Sequence, residues 1–261
     1  LQLDNILNAQ APESLKEGIK ADDEMMFIII HQTYELWFKQ IIHELERLIQ
    51  LIEAQKISHA YKTVDRIVQI QKVLVQQIDV LNTLSPDEFA TFRDNLNPAS
   101  GFQSHQFRLV EYLCGIKDEQ YLVYHRHNPH AYRKLETYLN KKSLYDVFLK
   151  FLYDKGFNIP QKMLKKNVSE SHQYSEEVKN CFIRIYQEKE EYMALYYLCE
   201  RLIDMDDHFQ LWRFRHIKMV ERTIGQKTGT GGSLGAKYLK STLEKRFFPE
   251  LWEMRTEIGT Y

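Results

Sequence analysis

The sequence lacks several features that mark extracellular, membrane and covalent haem proteins. It has only three cysteines, Cys114, Cys181 and Cys199, which lie far apart and form no Cys-x-x-Cys pair. This separation indicates free thiols in a reducing cytoplasm, and it excludes the Cys-x-x-Cys-His attachment of covalent haem. The apolar run at 25–30 has six residues, far fewer than the roughly 20 that a membrane-spanning helix needs. We therefore expect a cytoplasmic protein with no membrane partner.

A strong excess of charge of either sign is also absent. The formal net charge is −1, with 27% charged and 44% apolar residues. Surfaces that bind nucleic acids carry a clear excess of Lys and Arg, so this balance argues against a nucleic-acid partner. The composition is that of a soluble globular protein.

Helix breakers are scarce, with 10 glycines and 6 prolines in 261 residues. Between them, apolar residues recur at spacings of three and four, which predicts amphipathic helices. No series of strands is recognisable. We therefore expect an all-α fold of long packed helices in a single domain covering residues 1–261. Helices are predicted at 22–54, 61–84, 102–114, 143–155 and 233–246, with two long helices or one kinked helix across 175–223 and a short helix beginning at 249.

A capping-box pattern, Ser85-Pro-Asp-Glu88, predicts the start of another short helix. That helix would carry Phe89 and lead directly to Arg93. A partly buried arginine can bind a carboxylate through two parallel hydrogen bonds, and an ordinary salt bridge is the alternative.

The ten histidines raise the question of a metal site. No histidine has an acidic residue three positions before it, which excludes the Glu-x-x-His pairs of a helical di-iron site. His-Glu-x-x-His, the helical zinc motif, does not occur. The segment 125–130 holds three histidines and could bind a metal, although such a loop cluster is more typical of a solvated or structural role.

A second feature that calls for explanation is a histidine inside an apolar helical run. Phe27, His31 and Glu35 are spaced by four and share one face of the predicted first long helix. Burying an imidazole among aromatic side chains is costly unless it has a partner there. His31 is therefore a candidate site residue.

Another histidine lies among arginines and aromatic residues in the segment WRFRH at 212–216. His208, Trp212 and His216 are spaced by four and share a helix face. A single helical histidine near arginines suits an axial haem ligand with partners for the propionates, and a core histidine is the alternative.

The longest glycine-rich stretch, GQKTGTGG at 225–232, is predicted to be a loop. It lacks the glycine directly before lysine that a phosphate-binding loop requires, and it follows a helix rather than a strand. It is either a lid that closes over a ligand or a plain connector between helices.

Taken together and in this order, these segments resemble the tryptophan 2,3-dioxygenase family. The resemblance covers nearly the whole chain. It rests on DEMMFIIIHQTYELWFK at 23–39, Phe92-Arg93, PASGFQS at 98–104, WRFRH at 212–216, GTGGS at 229–233 and FFPELW at 247–252.

The resemblance implies a cytoplasmic enzyme with non-covalent haem b, which inserts dioxygen across the indole C2–C3 bond of L-tryptophan. The product would be N-formyl-L-kynurenine, in the first step of tryptophan catabolism. It also implies a homotetramer, a dimer of dimers, of all-α subunits that each enclose a haem pocket. The alternatives are an indoleamine 2,3-dioxygenase of broader specificity, a non-catalytic haem sensor and a structural helical scaffold.

Roles for individual residues follow from the same resemblance. His216 would be the proximal ligand of the haem iron, and Ser100 would lie near the haem edge. His31 would be the distal histidine that bonds to the indole N–H, and we expect it to position the ring rather than act as a base. The remaining substrate contacts would be Phe27 and Phe89 against the indole, Arg93 on the carboxylate, and Thr230 on the amino and carboxylate groups.

Overall fold

A computed structural model of the protein describes residues 1–97, 104–227 and 236–259. Within these ranges the regular structure is helical and no strand is present, which confirms the predicted all-α class. None of the helices in the described part of the chain is both long and apolar enough to cross a membrane. The α-helices are α1 Leu3–Leu7, α2 Glu24–Glu53, α3 Ile57–Leu81, α4 Pro86–Phe92, α5 His105–Leu113, α6 Gln120–Tyr124, α7 Pro129–Leu139, α8 Leu144–Asp154, α9 Gln161–Leu164, α10 Glu176–Gln187, α11 Met193–Ile224, α12 Ala236–Lys240 and α13 Pro249–Glu253.

The predicted capping box at the start of α4 is present. The Ser85 hydroxyl accepts a hydrogen bond from the Glu88 backbone N–H, and the Glu88 carboxylate accepts one from the Ser85 N–H. Pro86 occupies the first turn, where its missing N–H costs nothing. The same reciprocal pair, formed by Ser143 and Asp146, begins α8. Local sequence therefore fixes where these two helices start.

The long stretch at 175–223 forms two helices, α10 and α11, which decides between the two alternatives that the sequence left open. The break falls on an exposed charged run, Glu188-Lys-Glu-Glu191, which forms turns. No apolar residue in this run anchors a continuous helix to the core.

The prediction of a long helix at 233–246 is wrong. The helix α12 ends at Lys240 and is followed by turns with backbone hydrogen bonds between residues three apart. The hydroxyls of Ser241 and Thr242 donate to carbonyls three residues back, which competes with helical pairing. Beyond the turns, the buried carboxylate of Asp206 accepts hydrogen bonds from the N–H groups of Phe247 and Phe248, and this holds the chain in a non-helical path.

The chain divides into two compact units. The first comprises Leu1–Trp37, Lys72–Ser104 and Leu211–Glu244, and it contains the candidate site. The second comprises Phe38–Gln71, His105–Gln210 and Lys245–Tyr261, and the buried rings of Phe148, Phe182 and Phe248 pack together in its core. A single domain over 1–261 stays a prediction.

Candidate active site

Three phenylalanines form an aromatic cluster in the first unit. The ring of Phe27, on α2, lies 5.6 Å from the ring of Phe89 and 5.6 Å from that of Phe92, both on α4. The Phe89 and Phe92 rings meet edge to face at 5.4 Å, an arrangement favoured by the ring quadrupoles. Phe89 and Phe92 are buried, whereas Phe27 is partly exposed and packs against them. The cluster thus presents one accessible aromatic face.

His31 lies against this face, one helical turn after Phe27. The two ring centroids are 4.1 Å apart. The His31 Nδ1 is 2.7 Å from the Phe27 carbonyl oxygen, which can only accept a hydrogen bond. Nδ1 therefore carries the proton, and Nε2 of the neutral ring holds a free lone pair. Desolvation lowers the pKa of His31, opposed by the Phe27 carbonyl and the nearby Glu35 carboxylate, so the ring is neutral at physiological pH.

His216 is the second histidine of the site and is carried by α11. Desolvation and the nearby His31 lower its pKa to about 4. Its ring stacks on that of Trp212, one turn earlier, with a centroid distance of 5.2 Å and an angle of 6° between the planes. The His216 ring has no hydrogen-bond partner among residues 1–97, 104–227 and 236–259. It is therefore a neutral imidazole available to a ligand.

The structure describes only some of the other residues that the sequence predicts for the site. Arg93 directly follows Phe92 at the start of the 3₁₀ helix Arg93–Leu96 and is partly buried. Its role as a carboxylate partner stays a prediction. Ser100, Thr230 and the proposed lid at 225–232, apart from residues 225–227, lie outside the described residues. Two aromatic residues were not predicted as site residues: Phe92, which packs against Phe27, and Tyr34, whose ring contacts that of Trp212. Helical spacing could have indicated Tyr34, because it follows Phe27 by seven positions and shares its helix face.

The described residues contain no group of three or more His, Cys, Asp or Glu side chains that could hold a metal ion. The structure therefore gives no support for a metal site in the histidine-rich segment 125–130. Residues of this segment have structural roles instead, because His125 is buried and Asn128 caps α7. A haem needs less from the protein, because the porphyrin supplies four nitrogens and one axial histidine can complete the attachment. A neutral imidazole without a hydrogen-bond partner among the described residues, near a second neutral histidine that lies against Phe27, fits such a group.

The fold and this arrangement define a class, that of α-helical proteins with a site suited to haem and a flat aromatic ligand. The family profile described as Tryptophan 2,3-dioxygenase matches residues 1–144 and 161–258. The chain is also similar to proteins named tryptophan 2,3-dioxygenase. It is 45% identical to the one from Arthrobacter sp. (strain FB24) over 99% of this chain and 90% of the relative. The relative from Myxococcus xanthus (strain DK1622) is 45% identical, with 99% and 88% covered, and that from Bacillus thuringiensis (strain Al Hakam) is 43% identical, with 99% and 91% covered.

The chain belongs to the tryptophan 2,3-dioxygenase family, which confirms the resemblance found in the sequence. It is therefore an oxidoreductase.

Proposed function

We propose that the protein is a haem-dependent L-tryptophan 2,3-dioxygenase. It takes L-tryptophan and dioxygen, breaks the indole C2–C3 bond and places one oxygen atom on each carbon, giving N-formyl-L-kynurenine. This is the first step of tryptophan catabolism by the kynurenine pathway. The observation that carries the proposal is the neutral His31 against the Phe27–Phe89–Phe92 cluster, with the neutral His216 of α11 near enough to His31 to interact with it electrostatically.

His216 is the residue that would hold the iron of a non-covalent haem b. Its ring is neutral at physiological pH, so binding a metal does not first require the loss of a proton. Ser100 would lie near the haem edge. When bound, haem supplies the oxygen chemistry, and the protein supplies orientation and electrostatics.

Phe27, Phe89 and His31 would bind the indole ring of the substrate. The apolar face of Phe27 suits ring packing, and the unprotonated Nε2 of His31 suits acceptance of the indole N–H. The indole N–H is a very weak acid, and a histidine with a lowered pKa is a poor base for it. His31 therefore positions the indole, and its hydrogen bond fixes which ring atoms face the oxygen.

Arg93 would bind the substrate carboxylate, and Thr230 would contact the carboxylate and amino groups as the glycine-rich loop closes. Holding the amino-acid end as well as the ring leaves the indole little freedom. Restricting a substrate in this way can contribute several kcal/mol to catalysis. It also makes the L-amino acid a better substrate than an amine that lacks the carboxylate.

We further propose a homotetramer, a dimer of dimers, in the cytoplasm. Support comes from α1, a five-residue helix with no buried residue. Three of its side chains, Leu3, Ile6 and Leu7, are 51%, 43% and 69% exposed. A helix this short is not stable alone, and its exposed apolar side chains suit burial against a second copy of the chain. Light scattering of the purified protein measures the assembly directly.

The test of the function is turnover by the purified haem-loaded protein. With L-tryptophan and ¹⁸O-labelled dioxygen, we expect N-formylkynurenine that carries label at both new oxygens, read by mass spectrometry. D-tryptophan and tryptamine serve as comparison substrates. Equal rates with all three would favour the broader indoleamine dioxygenase, and haem binding without product would favour a sensor.

A further inference from the structure

Tyr34 occupies an unusual position three residues after His31 on α2. Its side chain is buried, and its hydroxyl donates a hydrogen bond of 2.7 Å to the Leu74 carbonyl oxygen on α3. Leu74 lies in the interior of α3, so its carbonyl oxygen already accepts a helical hydrogen bond. The Tyr34 hydroxyl therefore uses the second lone pair of that oxygen. Tyr34 thus ties α2 to α3 within the first unit.

The ring of Tyr34 also supports Trp212. The two rings meet edge to face, with centroids 6.2 Å apart and planes at 64°. The opposite contact of Trp212 is the parallel stack on His216. A continuous series of contacts therefore runs from the Leu74 carbonyl through Tyr34 and Trp212 to the His216 ring.

This series contacts the His216 ring at the place where metal-binding histidines need a fixed orientation. Such a histidine almost always donates its second ring N–H to a carboxylate, carbonyl or water, which fixes the orientation of the ring. Among the residues that the structure describes, His216 has no such bond. Its ring lies parallel to that of Trp212, and the Trp212 side chain is in turn contacted by both the ring and the hydroxyl of Tyr34.

We propose that Tyr34 is a positioning residue, which fixes the plane of the His216 ring through Trp212 and thereby sets how this imidazole meets the haem iron. The proposal rests on the proposed role of His216 as haem ligand. The proposal gives α2 two functions, because this helix carries both His31, which would bind the substrate, and Tyr34, which would position His216 through Trp212.

The test uses the haem-loaded protein and the Fe–His stretching band in resonance Raman spectra of the ferrous form. Tyr34→Phe removes the hydroxyl, with its bond to the Leu74 carbonyl and its interaction with the Trp212 side chain, and Tyr34→Leu also removes the ring. We expect the band to broaden and move to lower frequency in the order wild type, Tyr34→Phe, Tyr34→Leu, because the imidazole plane is less restricted. Ferric low-spin EPR spectra should spread in the same order.

The matched control is Tyr112→Phe. Tyr112 is also a buried tyrosine, and its hydroxyl donates to the Asp118 backbone carbonyl at 2.6 Å, but it belongs to the second unit. We expect this variant to keep the wild-type band. An unchanged band in both Tyr34 variants, or an equal change in Tyr112→Phe, overturns the proposal. Should Tyr34→Leu fail to fold, Tyr34→Phe and Trp212→Phe decide in the same way.

Failure of the proposed function gives a different result. If His216→Ala retained the wild-type Fe–His band, His216 would not be the ligand, and both proposals would fall together. If the band disappears in His216→Ala but does not respond to changes at Tyr34, the ligand assignment stands and only the positioning role is refuted.

Discussion

Acid should destabilise the folded protein through its desolvated neutral histidines, and the part-buried His216 gives the sharpest test. Its pKa in the folded state is about 4, against an ordinary value of 6.5, because desolvation and the nearby His31 disfavour the imidazolium. The unfolded chain therefore binds a proton that the folded protein excludes. Stability from this group is complete above the unfolded pKa of 6.5 and is lost as the pH falls towards 4.

The size of the loss follows from the two pKa values. The difference corresponds to about 3 kcal/mol when the titration is complete, since one pKa unit is worth about 1.4 kcal/mol. At pH 5 the linkage relation gives about 2 kcal/mol relative to pH 8. His125, buried in the second unit with a pKa also lowered to about 4, contributes a second loss of similar size in the same pH range.

The assay compares haem-free wild type with His216→Gln, whose side chain does not titrate. Urea unfolding at pH 8 and pH 5 gives the change in unfolding free energy for each protein. Titration of all other groups is common to both and cancels in the difference. We expect His216→Gln to lose about 2 kcal/mol less than wild type between these pH values. Equal losses would show that the His216 ring is solvated in the folded protein and would refute this reasoning.

Three further predictions concern single side chains. His31→Ala should retain haem, which the absorption spectrum measures. It should turn over L-tryptophan about tenfold more slowly, since one hydrogen bond of about 1.5 kcal/mol is lost. Loss of haem instead would mean that the roles assigned to His31 and His216 are exchanged. Arg93→Ala should raise the KM for L-tryptophan by about two orders of magnitude, because a charged bidentate contact of about 2–4 kcal/mol is removed. Arg93→Lys should recover part of the affinity. An unchanged KM would mean that Arg93 forms an ordinary salt bridge and does not bind the substrate. Asp206→Ala should lower the unfolding free energy by about 3–6 kcal/mol, measured by urea unfolding. The reason is that the backbone N–H groups of Phe247 and Phe248 and the indole N–H of Trp252 lose a buried acceptor. A loss below about 1 kcal/mol would mean that water replaces the carboxylate.

Features that depend on residues close together along the chain were predictable. The start of α4 follows from Ser85 and Glu88, because a capping box uses only residues three apart. The face shared by Phe27 and His31 follows from helical spacing, and so does the face shared by Trp212 and His216, whose rings stack in the structure. Even the tautomer of His31 is a local matter, since its proton is donated to a carbonyl one turn earlier on the same helix.

Features that join distant segments came only from the tertiary structure. The path after α12 was mispredicted because its determinant, Asp206, lies about 40 residues earlier in the sequence and acts through backbone N–H groups. Periodicity cannot reveal such a partner. The pairing of Phe27 with Phe89 and Phe92, and the anchoring of Tyr34 on Leu74, likewise depend on how α2 meets α4 and α3.

The helical class and the family could be recognised from the sequence alone, because both depend on short-range spacing and on motifs that keep their order. The same spacing indicated His31 and His216 as candidate site residues. The protonation and surroundings of these two histidines depend on tertiary packing. Desolvation lowers the pKa of both rings, and the proximity of His31 lowers that of His216 further. Both effects arise only because the parts of α2 and α11 that carry the two histidines pack within the first unit.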